Sequence, residues 1–221
     1  MDASRYITLV LSIIPFLLAI TVHEVAHGYA AYRKGDFTAK MLGRISMNPI
    51  RHLDPFGSVV FPLLLAFSGT GVIFGWAKPV PINSFNFRNP RKDMVLVSFA
   101  GPLSNFLLAA ALAFVFRILL WFPGQEILWS SKIGQPLAIM MVMGIKISIY
   151  LGVFNLLPIH PLDGSHILEG LLPPQQARAY SRLEKYGFIF LVILLFTGLL
   201  TAVTYPLYTV ILRVISGIFG I

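Results

Sequence analysis

Apolar residues run almost unbroken from Tyr6 to Tyr32 and stop at the polar stretch Arg33–Asp36, where Gly35 supplies a helix stop. That pattern predicts a first helix over 6–32. A polar, basic connection follows over 37–55. Residues 56–75 are apolar again but are interrupted by Pro62, Gly69 and Gly71. Residues 76–93 alternate around Val80 and Ile82 and carry prolines suited to an edge strand, so a small membrane-associated β element is expected around 72–85. Two further long apolar runs, 94–122 and 136–157, predict two more helices, with a short loop at Pro123 and Gly124 between them. Residues 166–187 read as a short amphipathic connection. The last apolar stretch, 188–221, holds one or two segments, with a division expected near Tyr205–Pro206.

A bilayer crossing takes roughly 20 apolar residues, and several of these runs reach it. The expected fold is therefore an all-α polytopic membrane protein. It has a three-helix core, one or two C-terminal helices and the small β element. The chain reads as one membrane-embedded domain over 1–221, with its core at about 6–170 and C-terminal transmembrane segments at about 186–221.

Composition agrees: 57% of residues are hydrophobic and 12% charged, against about 25% charged in an ordinary soluble domain. The absence of cysteine excludes disulfides and thiolate metal sites. The net charge of +8 does not point to nucleic acid, because the basic residues sit in short loops between apolar runs. Those loops orient the chain. Arg33, Lys34, Lys40, Arg44 and Arg51 lie in the first connection, Lys78, Arg88, Arg91 and Lys92 in the next, and Arg178, Arg182 and Lys185 near the end, whereas the 123–135 loop has only Lys132. The positive-inside rule places the first three on the cytoplasmic face of the cell membrane. Residues 56–75 then have both flanks inside and are expected to re-enter or lie at the interface. The N-terminal run is too long for a signal-peptide core and has no small-residue cleavage site.

The chemistry concentrates in the first helix. Residues 23–27 read His-Glu-Val-Ala-His. Positions i and i+4 share one face of a helix, so His23 and His27 can reach one ion. Glu24 lies about 100° around, near the ion without having to bind it, which suits a general base. Charged side chains in mid-span cost about 2.5–3.5 kcal/mol and are functional by default. Catalytic zinc takes three protein ligands. Asp163 is the best third candidate: prolines unwind the backbone before it, Gly164 permits close approach, and the topology puts it at the depth of the His-Glu pair.

Five motifs occur in order: HEVAH, NPIRHLDPFGS (48–58), GWAKPVPIN (75–83), AGPLSN (100–105) and NLLPIHPLDG (155–164). Together they resemble the site-2-type intramembrane zinc metalloproteases, specifically the short prokaryotic branch without a PDZ domain. The resemblance covers about residues 15–170. It implies that His23, His27 and Asp163 bind one Zn2+ per chain and that Glu24 is the catalytic base. The implied activity is hydrolysis of peptide bonds in or near transmembrane segments of membrane-protein substrates, as in regulated intramembrane proteolysis, with the site nearer the cytoplasmic side.

Other residues keep two readings. Asn105 could stabilise an oxyanion or hold substrate near the site, or it could glue helices together. Asn155 could contact substrate or satisfy backbone freed by Pro158. Lys78, Pro79 and Val80 could bind an unwound substrate by strand addition, or could form an ordinary cytoplasmic loop. His52 could support the metal ligands or be a plain interfacial histidine. His160 and His166 could replace Asp163 as a ligand, or orient its neighbours or face water. Arg117 and Lys146 lie inside apolar helices, where their stems can snorkel or Lys146 can pair with a carboxylate. The alternative function is a membrane metal-binding or transport protein using the same His/His/Asp site.

Overall fold

The computed structural model describes residues 3–60, 64, 75–122 and 125–221. Its regular elements are helices α1 (Ala3–Arg33), α2 (Thr38–Met41), α3 (Pro90–Trp121), α4 (Gln125–Ser130), α5 (Gly134–Asn155), α6 (Asp163–Leu171), α7 (Pro174–Ser181), α8 (Glu184–Thr197) and α9 (Leu199–Phe219). Single turns occur at Pro49–His52, Pro55–Val60 and Ser84–Asn86. Four segments among the described residues are long and apolar enough to cross a membrane: Val10–Arg33, Pro90–Trp121, Gly134–Asn155 and Leu199–Phe219. The protein is an integral membrane protein built from helices.

The expected three-helix core forms, because α1, α3 and α5 pack extensively on one another. Small residues set the spacing. Ala109 and Ala113 of α3 are fully buried against Ile145, Ile149 and Val153 of α5 and Ile215 of α9. Gly101 of α3 faces α1, where an added Cβ would collide with the rings of His27 and His23. A glycine there is what lets α3 lie flat against the two histidines.

The β element expected at 72–85 is not present among the described residues. Residues 75–83 are an irregular strap leading into the turn at Ser84–Asn86, and 72–74 lie outside the described residues. The physical reason is a missing ladder. Pro79 and Pro81 have no N–H to donate, and the strap's other donors go to scattered acceptors. Trp76 N–H meets the Gly57 carbonyl at 3.1 Å, Lys78 N–H meets the His52 carbonyl at 2.9 Å, and Val80 N–H meets a Glu24 carboxylate oxygen at 2.7 Å. The re-entrant path expected for 56–75 lies mostly outside the described residues; its start, Pro55–Val60, is a wide helical turn.

The C-terminal stretch divides at Gly198 and not at Tyr205–Pro206. Gly198 takes φ +76 between α8 and α9, a left-handed conformation that ends a helix at little cost only for glycine. Pro206 sits inside α9, where it removes one internal hydrogen bond. Helix α8 has 14 residues, about 21 Å of helix, short of a crossing. It packs Leu191 with Leu162 and Leu200 beside the site. Arg117, near the end of α3, donates to the Gly220 carbonyl at 3.3 Å, so α9 ends on the side where α3 ends.

Candidate metal centre

Helix α1 presents His23 and His27 one turn apart, with their Nε2 atoms 3.0 Å from each other. The chain returns to them at the first turn of α6. There Asp163 sets Oδ2 at 3.1 Å from His23 Nε2 and Oδ1 at 3.2 Å from His27 Nε2. Both histidines are buried. One ligand atom from each of the three residues lies within 4.8 Å of the others, a group that could hold a metal ion.

The surroundings test whether the residues fit zinc. His27 Nδ1–H donates to the Val97 carbonyl at 2.8 Å, and a carbonyl can only accept. In the neutral ring this leaves the lone pair on Nε2, facing the cluster. The Asn105 amide lies 3.1 Å from His23 Nδ1. An amide's two ends have the same shape. With its oxygen facing Nδ1–H, the His23 lone pair also points inward. Two lone pairs and a carboxylate then converge on one point, and they repel unless a cation sits between them. Asp163 Oδ2 is buried without a well-aligned donor. Two neutral imidazoles plus one carboxylate are a normal donor set for catalytic zinc, so the residues fit the ion.

A cavity of about 770 Å³ opens beside the cluster. Of the residues singled out from the sequence, it brings together His23, Glu24, His27, Pro79, Val80, Asn105, Asn155, Asp163 and His166. Glu24 is held there by the Val80 N–H. Asn155 donates to the Leu151 carbonyl at 3.0 Å and so caps its own helix end, whatever else it does.

Three of the residues singled out stand apart from the cavity. Lys78 is exposed, and its backbone, not its ammonium, is engaged. His52 is fully buried and its Nε2 lies 2.8 Å from the Ser46 carbonyl, which ties the 46–52 loop together. His160 is buried against Tyr180, with ring centroids 4.9 Å apart. Burial first, and the nearby His166 second, push its pKa down.

The sequence reading missed the supports of the strap. Arg44 donates to the Lys78 carbonyl at 2.7 Å and to the Pro79 carbonyl at 3.3 Å. Asp36 is fully buried. It accepts from Thr38 N–H at 3.1 Å, Thr38 hydroxyl at 2.5 Å, Asn83 N–H at 2.7 Å and the Asn86 amide at 2.8 Å. An acid just past a helix-stopping glycine was the available signal. The Val97 carbonyl had none, since every residue has a carbonyl.

Burial acts to raise the Asp36 pKa, but its donors outweigh burial and lower it overall. A depressed carboxylate contributes stability above its unfolded pKa of about 3.9, and that contribution is lost as pH falls through the folded value. Asp36→Asn should lower stability at pH 7 by about 2 kcal/mol. It should also flatten the acid limb of the melting profile, as read by thermal denaturation in detergent between pH 7 and pH 3.

A buried two-histidine, one-aspartate centre with a carboxylate in the same cavity, set among membrane-spanning helices, defines a membrane metallohydrolase. The chain belongs to Peptidase family M50, whose family model matches residues 11–197, and it is a zinc metalloprotease of the site-2 type. It is 40% identical to the "Putative zinc metalloprotease YwhC" of Bacillus subtilis, over 97% of this chain and 97% of that protein. It is 32% identical to the "Putative zinc metalloprotease Rip2" of Mycolicibacterium smegmatis, over 85% of this chain and 67% of that protein. A shorter match, 40% identical over 75 residues, is to the "Putative zinc metalloprotease MJ0611" of Methanocaldococcus jannaschii. No solved structure matches the chain.

Proposed function

We propose that this protein cuts peptide bonds in or near transmembrane segments of membrane-protein substrates, as a step of regulated intramembrane proteolysis, and that residues 1–221 act as one membrane-embedded domain. The observation that carries the reading is the position of Asp163. It lies 3.1 and 3.2 Å from two histidines inside a membrane-spanning helix, with Glu24 lining the same cavity. The lysine and arginine distribution supports a site nearer the cytoplasmic side, because α1 ends, and α6 begins, beside the basic connections.

His23, His27 and Asp163 are the residues that hold zinc in this reading. Bound zinc would supply Lewis acidity, polarising a carbonyl and lowering the pKa of water to about 7. Glu24 takes the proton of the attacking water and passes it to the leaving amine. The Val80 N–H binds one Glu24 oxygen and leaves the other to face the reacting water. Val97 and Asn105 orient the two imidazoles, a common arrangement around metal-bound histidine. Asn105 is fully buried, which favours this role over contact with substrate.

The strap at Lys78, Pro79 and Val80 borders the cavity and can receive an unwound peptide. The N–H groups of Trp76, Lys78 and Val80 are spent, and the Lys78 and Pro79 carbonyls accept from Arg44. An incoming peptide would therefore have to displace Arg44 or meet the Ala77 and Val80 carbonyls.

The test is cleavage of a single-span substrate in vesicles. Stripping zinc with a chelator should stop cutting, and adding zinc back should restore it. Zinc at 100 times its dissociation constant should also raise stability by about 2.7 kcal/mol. Cutting of the same sequence as a water-soluble peptide but not in the vesicle would overturn the reading.

A further inference from the structure

Lys146 is the only charged residue of α5, a helix of 22 residues. It sits about 2 Å from the helix midpoint at 1.5 Å per residue. The nearer helix end, at Asn155, is about 13 Å away, farther than a four-carbon stem can carry the ammonium to a headgroup. Arg117 and Arg213 differ: they lie within the last two turns of α3 and α9.

The side chain of Lys146 also faces outward. The buried face of α5 is Met141, Gly144, Ile145, Ser148 and Ile149. Lys146 is exposed, on the same stripe as Tyr150 one turn on, and it is not among the residues lining the active-site cavity. It has no hydrogen bond or ion pair among the described residues.

The chain cannot supply the missing partner. Of its nine acids, Glu24 and Asp163 belong to the metal centre and Asp36 is buried and hydrogen-bonded. Asp93 is buried and paired with Lys34 at 3.0 Å. Asp2, Asp54, Glu126, Glu169 and Glu184 all lie outside the four spans. A second copy of the chain therefore has no lipid-facing carboxylate at mid-depth to offer. An unpaired ammonium at that depth is costly, and such residues mark functional contacts.

We propose that the stripe of α5 around Lys146 docks a transmembrane helix of a different protein, one that carries an aspartate or glutamate at mid-depth. Each charge alone is costly in hydrocarbon, and pairing them in a low dielectric relieves both. The docked helix lies outside the cleavage cavity. The proposal rests on α5 spanning the bilayer and not on the proteolytic reading.

The test uses the full chain in vesicles, in a Glu24→Gln background so that nothing is cut. Association is read by energy transfer to single-span leucine helices with glutamate, lysine or leucine at the centre. The glutamate helix should bind about tenfold more tightly than the leucine helix. Lys146→Leu should abolish that advantage, and Lys146→Glu should transfer it to the lysine helix. Retained zinc shows that the variants are folded, and Lys146→Met serves if Lys146→Leu loses its metal. Equal binding of the glutamate and leucine helices, as expected if Lys146 reaches lipid phosphates instead, would overturn the proposal. So would a glutamate advantage that survives loss of the lysine.

Discussion

Glu24→Gln should lower cleavage of a transmembrane substrate by about a thousandfold or more, within and beyond the range of a single general acid–base group, while one zinc per chain is retained. The substitution is well matched to the question. Glu24 is not one of the three clustered ligands, so removing its charge should leave the ion's donors intact. Its structural contact also survives, because the glutamine side-chain oxygen can still accept the Val80 N–H that Glu24 accepts at 2.7 Å. What glutamine cannot do is take a proton from water and return it to the amine. Metal analysis and a vesicle cleavage assay on one preparation separate the two effects. Undiminished cutting would remove Glu24 from the mechanism, and lost zinc would make it a ligand.

Asp163→Ala should have the opposite signature: zinc and cleavage disappear together. Loss of an outer partner costs about 10–100-fold in metal affinity, and loss of a charged ligand should cost more than that. The effect should exceed that of a neutral ligand because Asp163 faces both histidines at once, at 3.1 and 3.2 Å. Its carboxylate would be the anion that balances a doubly charged ion held there. Competition with a chromogenic chelator measures the affinity directly. High zinc should refill the Asp163→Ala site only partly. Wild-type affinity in this variant would mean that another residue, such as His166 in the same cavity, is the third ligand.

The candidate chemistry of the first helix was legible in the sequence because it is local. A His-Glu-Val-Ala-His run on a helix sets two imidazoles on one face by the helical period alone. The apolar runs are long enough that the bilayer dictates helices, and α1, α3 and α5 appear within a few residues of where the pattern puts them. The carboxylate of Asp163 could be nominated from unwinding prolines and membrane depth.

What the tertiary structure decided was everything that depends on a partner distant in the chain. A strand is defined by its ladder, so alternation at 76–83 could not reveal that the donors of Trp76, Lys78, Val80 and Asn83 go to four different acceptors and that no strand forms. Pro206 was the expected break, and only the backbone shows that the division falls at Gly198, which adopts a left-handed turn. The Val97 carbonyl and the Asn105 amide turn the two imidazoles, and Asp36 anchors the strap from 47 residues away. Side-chain type announces which groups can bind a metal or carry a proton. Packing alone sets which of them meet, since contacts across 70 or 80 residues follow from how helices nest and leave no period in the sequence.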